Sequence, residues 1–210
     1  MDGATLNDRF SRGLGAAARS IGMPHDLYRP RGPMQPLRVE NRVLRMAAAF
    51  DGGDPGYRRP RGYDRALRGT FDVVYTQVGD YLKGPQGVLF VAMAPALRQP
   101  LCVLANGLVD VLRPGGANQP GLNGYGGVEE ARLQTVLAGW PAEILSTANS
   151  ARGELPDDGG MPGWTVLLPP TPAPILGSDL VRNAVGHRYV VQIAERSALG
   201  WRLTVRQAGI

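Results

Sequence analysis

Gly79-Asp80-Tyr81-Leu82-Lys83-Gly84-Pro85-Gln86-Gly87-Val88-Leu89-Phe90-Val91-Ala92 reads as a polar turn, a short loop closed by glycine, and a strand. Further on, the same rhythm returns in Gly177-Ser178-Asp179-Leu180-Val181-Arg182-Asn183-Ala184-Val185-Gly186-His187-Arg188-Tyr189-Val190-Val191. Each copy runs Asp, Leu, a few variable positions, Gly, two residues, an aromatic and then Val. Alternate side chains of a strand point to opposite faces, so Leu89 and Val91 share one face and Phe90 takes the other. Gly87 and Gly186 fall where a tight hairpin needs a residue able to reach positive φ. The recurrence predicts a mainly β protein with two small antiparallel β units, each a meander or small barrel, and not one large enzyme fold.

Strands extend outward from both copies. Around the first, Thr70–Tyr75, Val88–Met93, Leu101–Leu104 and Leu108–Leu112 are expected strands, with Asn106-Gly107 as a hairpin signal between the last two. Around the second, Trp164–Leu168 and Tyr189–Ile193 are apolar runs. Leu199–Arg206 alternates, with Trp201, Leu203 and Val205 on one side and Arg202, Thr204 and Arg206 on the other. Trp164 and Trp201 are expected in one core, joined by Trp140, Ile144 and Leu145. Between the units, the glycine-rich stretch 114–127 lacks the Gly-Lys-Ser/Thr of a phosphate-binding loop and reads as a crossover. Val128–Leu137 reads as a short helix.

The front of the chain is different. Thr5 is the expected N-cap of a helix from Asp8 to Ile21, whose Phe10, Leu14, Ala17 and Ile21 recur on one face. Pro24, Pro30, Pro33 and Pro36 follow and predict an extended arm, not a central strand. The expected partition is therefore a helix and basic arm over 1–66, a first β unit over 67–114, a crossover with a short helix over 115–139, and a second β unit over 140–210.

Charge follows this partition. The net charge is +5 over 210 residues, and residues 1–66 carry all of it, with 12 Arg against 7 Asp or Glu. The only lysine is Lys83. Arginine forks suit carboxylates, phosphates and protein interfaces alike, so residue type alone selects no partner. Tyr57-Arg58-Arg59-Pro60-Arg61-Gly62-Tyr63-Asp64-Arg65 is the densest basic stretch. Its alternatives are an interchain contact loop, an ordinary solvated loop, or phosphate contact with tyrosine stacking, the last being the weakest.

Recognisable chemistry is missing. One cysteine, Cys102, lies in an apolar run and excludes an intrachain disulfide framework. His25 and His187 stand far apart with no metal-ligand spacing. Asp157 and Asp158 are adjacent and are not an opposed carboxylate pair. The expectation is a protein that is not an enzyme and uses no metal or cofactor. No run is long and apolar enough to span a bilayer, and the start carries no secretory pattern. The expected place is the cytoplasm of synthesis, or a particle assembled there.

Ile21-Gly22-Met23-Pro24-His25-Asp26-Leu27-Tyr28-Arg29-Pro30, with Gly79-Asp80-Tyr81-Leu82, Asn106-Gly107, Val109–Pro114 and the closing Gly200-Trp201-Arg202-Leu203, resembles a family of poorly characterised virion proteins of tailed bacteriophages and prophages. The resemblance spans most of the chain and transfers no catalytic residue. One departure is Gly177-Ser178-Asp179, where a plain Gly-Asp is the family pattern. The resemblance implies a structural component of the neck, collar, tail or fibre attachment, located in the virion. Its implied partners are other copies of itself and other virion proteins, with no membrane. The candidate assembly residues are Phe10, Leu14, Ile21, Arg29, Arg31, Arg58, Arg59 and Arg61. The alternatives are a nucleic-acid-binding accessory protein using 57–65 and a cell-wall-directed phage enzyme.

Overall fold

The computed structural model describes residues 2–52, 59–115, 133–147 and 163–208. The protein is mainly β, with one long helix, α1 (Gly3–Ile21). The first six strands are β1 (Met23–Tyr28), β2 (Arg42–Asp51), β3 (Leu67–Phe71), β4 (Tyr81–Gly84), β5 (Gly87–Met93) and β6 (Leu101–Ala105). They form a closed antiparallel barrel in the order β1-β2-β3-β6-β5-β4. The next six are β7 (Gly107–Pro114), β8 (Leu133–Thr147), β9 (Gly163–Leu168), β10 (Leu180–Asn183), β11 (Arg188–Ser197) and β12 (Gly200–Gln207). Their ring order is β7-β8-β9-β12-β11-β10, the same topology with every strand number raised by six. Closing a sheet on itself removes its edges, which is how short strands like these are stabilised without a covering layer.

Each barrel has its own core. In the first, Leu27, Ala48, Phe71, Leu82, Leu89, Val91 and Cys102 are buried together, with Leu44, Met46 and Phe50 packed against them. In the second, Val109, Val111, Leu137, Trp140, Val166, Leu203 and Val205 are buried. Trp164 lies opposite Val205 in the β9–β12 register and Trp201 opposite Leu168, so both indoles share the inward face expected of them. Trp164 packs edge-on against Tyr189, their rings 5.8 Å apart. Gly87 and Gly186 have the expected positive φ, 112° and 95°.

Several expectations are corrected. The proline-spaced front does not form a separate arm. Met23–Tyr28 is β1, which pairs with both β2 and β4. Pro24 is tolerated because the β4 pairing covers only Asp26 to Tyr28, leaving Pro24 with β2 alone. The boundary between units falls after Ala105, not after residue 114. Unit one comprises Met1–Arg31, Pro36–Ala105 and Ala198–Gly200; unit two comprises Gly32–Gln35, Asn106–Ser197 and Trp201–Ile210. Asn106-Gly107 is accordingly no hairpin. The Asn106 amide instead bonds the backbone of Ile144, donating to its carbonyl at 2.8 Å and accepting its N–H at 2.7 Å. Residues 133–137, expected as the end of a helix, begin the long strand β8 and pair there with β7. Thr70–Tyr75 splits into the end of β3 and a 3-10 turn at Val73–Tyr75.

Candidate functional site

The best-ordered polar constellation occurs twice. At the end of the first barrel, Arg29 follows β1 and Asp80 precedes β4. The Arg29 guanidinium donates from Nε to Asp80 Oδ1 at 2.9 Å and from Nη2 to Oδ2 at 2.7 Å. It also donates to the Tyr75 carbonyl at 3.0 Å. Asp80 accepts the Gln77 N–H at 2.9 Å, and its own carbonyl accepts the Val91 N–H. In the second barrel Arg113 donates to Asp179 Oδ1 at 2.8 Å and Oδ2 at 2.9 Å, and to the Pro174 carbonyl at 2.9 Å. Asp179 accepts the Leu176 N–H at 2.8 Å, and its carbonyl accepts the Val191 N–H. The two clasps match bond for bond. In each, hydrogen bonding to the aspartate holds the arginine above its ordinary pKa, against a smaller opposing effect of burial.

These clasps are internal fastenings. Both aspartates are buried and all their oxygens are engaged within the barrel end, a geometry that orders a loop and leaves no room for substrate. Arg29, an expected assembly residue, is thus committed to its own barrel. The sequence does carry a signal for the clasp: Asp26-Leu27-Tyr28-Arg29-Pro30 matches Asp110-Val111-Leu112-Arg113-Pro114, one Asp-x-x-Arg-Pro per barrel. The repeated aromatic, by contrast, is not equivalent. The β10–β11 hairpin is one residue longer than β4–β5, so Tyr189 stands in place of Leu89, while Phe90 lies opposite Tyr81.

Of the basic stretch 57–65, only Arg59 and Tyr63 are turned inward where it is described, and Asp64 and Arg65 are exposed. Tyr57 and Arg58 lie outside the described residues. Arg59 donates to the Ala66 carbonyl at 2.9 Å and to the Gly52 carbonyl, tying the β2–β3 connection to itself. Tyr63 is only 4% exposed and offers no stacking platform. Arg31 and Arg61 are exposed.

What remains open is the helix. Asp2, not Thr5, caps α1, accepting the Thr5 N–H at 2.8 Å. The side buried against the barrel is a line of small residues, Ser11, Gly15 and Ala18, continued by Gly22 beside Ala48. The expected large stripe is therefore not the docking face. Phe10 and Leu14 are half-buried, and Ala17 and Ile21 are exposed, Ile21 at 68%. Small residues permit the closest backbone approach, and this selected the buried side over the larger apolar one. Phe10 and Leu14, with Arg68, Arg98 and Gln99, line a cavity of about 530 Å³. A second cavity of about 440 Å³ shares Phe10 and Arg98 and is floored by Val73, Val74 and Pro95.

Burial pushes the Cys102 thiol up, away from the reactive thiolate. Among the described residues no group of three or more His, Cys, Asp or Glu is arranged to hold a metal ion. No helix among them is long and apolar enough to cross a membrane. Comparison of the chain with models of protein families, with curated proteins and with solved structures finds no match in any of the three.

Proposed function

We propose that this chain is a structural protein of a tailed-phage virion, belonging to the neck, collar, tail or fibre attachment, and that it works by protein–protein assembly. One observation carries this reading. The two best-formed polar constellations are fastenings closed within their own barrels, whereas the apolar stripe of α1 is left open beside arginines. A chain with rigid barrels and an open apolar flank is suited to standing between other proteins. The resemblance of Ile21–Pro30 and its companion stretches to virion proteins points the same way.

Purified particles test the reading. The protein should appear in mass spectra of gradient-purified virions at fixed stoichiometry, and antibody against it should label one position in negative stain. Its absence from intact particles, with abundance in the lysate supernatant, overturns the proposal.

A further inference from the structure

We infer that the cleft between α1 and β2 in the first barrel is a carboxylate-binding site, where Arg19 and Arg45 hold an acidic side chain of a different protein. The inference rests on the assembly reading and names the chemistry of one contact. The cleft has a volume of about 310 Å³ and lies between Gly15 and Arg19 on α1, Leu44 to Ala47 on β2, and Asp72 and Tyr75 at the 3-10 turn. Arg19, Arg45 and Tyr75 are exposed, so the site is open to solvent.

Neither arginine has an acid of its own. Among the described residues no hydrogen bond or ion pair reaches the guanidinium of Arg19 or Arg45. For Arg45 the reason lies in the strand register. Asp26 stands directly across from it on β1, and side chains so placed share one face. The Asp26 carboxylate is nevertheless taken by Arg42 at 2.8 Å, and Lys83 stands opposite Asp26 on its other side. The acid that lines the cleft itself is Asp72. It turns one oxygen to the Val74 N–H at 3.2 Å and lays the other against Gly15, where a Cβ would come within 3.1 Å of it. The cleft therefore holds two cations and one anion, a surplus of one positive charge.

The second barrel shows the same place without a site. Asp110 there takes the position of Asp26 in the Asp-x-x-Arg-Pro repeat. It accepts from Arg182 at 2.9 Å and from the Gly139 N–H at 2.8 Å, so on β8 a glycine meets the aspartate where β2 presents Arg45. No helix precedes that barrel to supply a counterpart of Arg19. Both cations are additions to the first copy, and the second barrel closes without them.

Charge selects the occupant. One carboxylate neutralises the surplus and can meet a guanidinium fork with two parallel hydrogen bonds. A phosphate dianion would exceed the surplus and face Asp72, and a nucleic-acid strand needs a run of cations where this recess has two. The chain's own net charge of +5 opposes a second copy as the source.

The test uses the full chain and three probes: capped hexaglutamate, capped hexaglutamine and hexathymidylate. Binding is read from the side-chain Nε–H resonances of Arg19 and Arg45 in an isotope-labelled sample. Hexaglutamate should shift both resonances to saturation, more weakly as salt rises, and hexaglutamine should shift neither. Arg19→Gln and Arg45→Gln should each weaken binding about tenfold, read on the remaining arginine, with the melting temperature little changed. Arg9→Gln, an exposed position on α1 outside the cleft, should leave binding as it was. Absence of saturable binding overturns the inference, as does an equal loss in Arg9→Gln, which would reduce the effect to general charge attraction. Hexathymidylate bound as tightly through the same two arginines would overturn it in favour of a nucleic acid. Self-association in sedimentation that Arg45→Gln abolishes would overturn it in favour of a second copy. Because these measurements need no particle, failure of the cleft is distinguishable from failure of the virion assignment.

Discussion

Arg29 and Asp80 show how much of a small barrel depends on one pair. The Asp80 side chain is fully buried while that of Arg29 is 34% exposed. Removing the arginine leaves a buried carboxylate with only the Gln77 N–H as support. Arg29→Met should therefore destabilise the first barrel strongly, up to the roughly 3–5 kcal/mol of a broken buried pair and less where water reaches the site. Arg29→Met with Asp80→Leu should recover part of that loss, because no charge is then stranded. Chemical denaturation of the single and double variants reads the difference; a double variant worse than the single one counts against this account. The equivalent turn residues make a second case. Gly79 has φ 96°, and its counterpart Ser178 has φ 73°, a conformation that disfavours side chains by about 1 kcal/mol. Ser178→Gly should stabilise the second barrel by a fraction of that amount, and Gly79→Ser should destabilise the first. Calorimetry with both substitutions decides, since a matching site must respond with opposite signs. Tyr81 adds a pH dependence. Burial raises its hydroxyl well above the ordinary value, so the folded state holds the proton longer than the unfolded chain does. Its contribution is intact below about pH 10 and declines as pH rises from there towards the folded value. Tyr81→Phe should flatten the alkaline fall in stability, and an unchanged slope would assign that fall to other groups.

At the scale of the element, α1 is attached by small side chains and carries large ones elsewhere. Gly22 sits where a Cβ would come within 2.9 Å of the Ala48 backbone and 2.5 Å of the Ala18 carbonyl. Gly22→Val should lift the last turn of α1 from β2 and expose Ala18 and Gly15 to solvent, read as faster amide exchange along the helix while the barrel strands keep theirs. Truncation tests the same joint. Removing residues 1–21 should leave a folded, less stable first barrel, since α1 supplies no strand and no member of the Leu27–Cys102 core. Removing 1–36, the cut that an arm-like front would tolerate, takes away β1 and Arg29 and should unfold that barrel altogether. Circular dichroism of the two truncations separates these outcomes: loss of strand signal in the shorter cut would mean that the helix is part of the barrel's folding unit.

The whole molecule is one barrel design used twice, with the clasp, the hairpin glycine and the strand order repeated. Only the first copy is preceded by a helix, because β6 and β7 are separated by Asn106 alone. Each barrel is built from its own strands, so damage can be aimed at one of them. Trp201 is buried and its indole N–H is held by the Thr171 hydroxyl at 2.9 Å. Trp201→Ala should cost the second barrel about 3–5 kcal/mol, a large share of the roughly 5–15 that holds a domain. Hydrogen exchange should show β9 and β12 losing protection first, with the Leu27–Cys102 core as the internal reference.

The sequence by itself determined the β class, the two-fold recurrence, and the inward face of β12. Those follow from alternation and from glycine at turns, which are local properties readable within ten residues. It also held both clasps, as Asp-x-x-Arg-Pro and the Asp before β4 and β10, but written far apart in the chain. Only the tertiary structure decided that Arg29 meets Asp80, because strand register brings together residues 51 positions distant. Tertiary structure also turned Asn106-Gly107 from a hairpin into a junction, and drew Met23–Tyr28 of the proline-spaced front into the first barrel as β1. A turn signal states that a chain can reverse, whereas the number of strands needed to close a barrel states where it does. The helix makes the same point about the candidate site. Periodicity identified the apolar stripe of Phe10, Leu14 and Ile21, but the barrel took the small-residue side, where backbones approach most closely, and left that stripe outside.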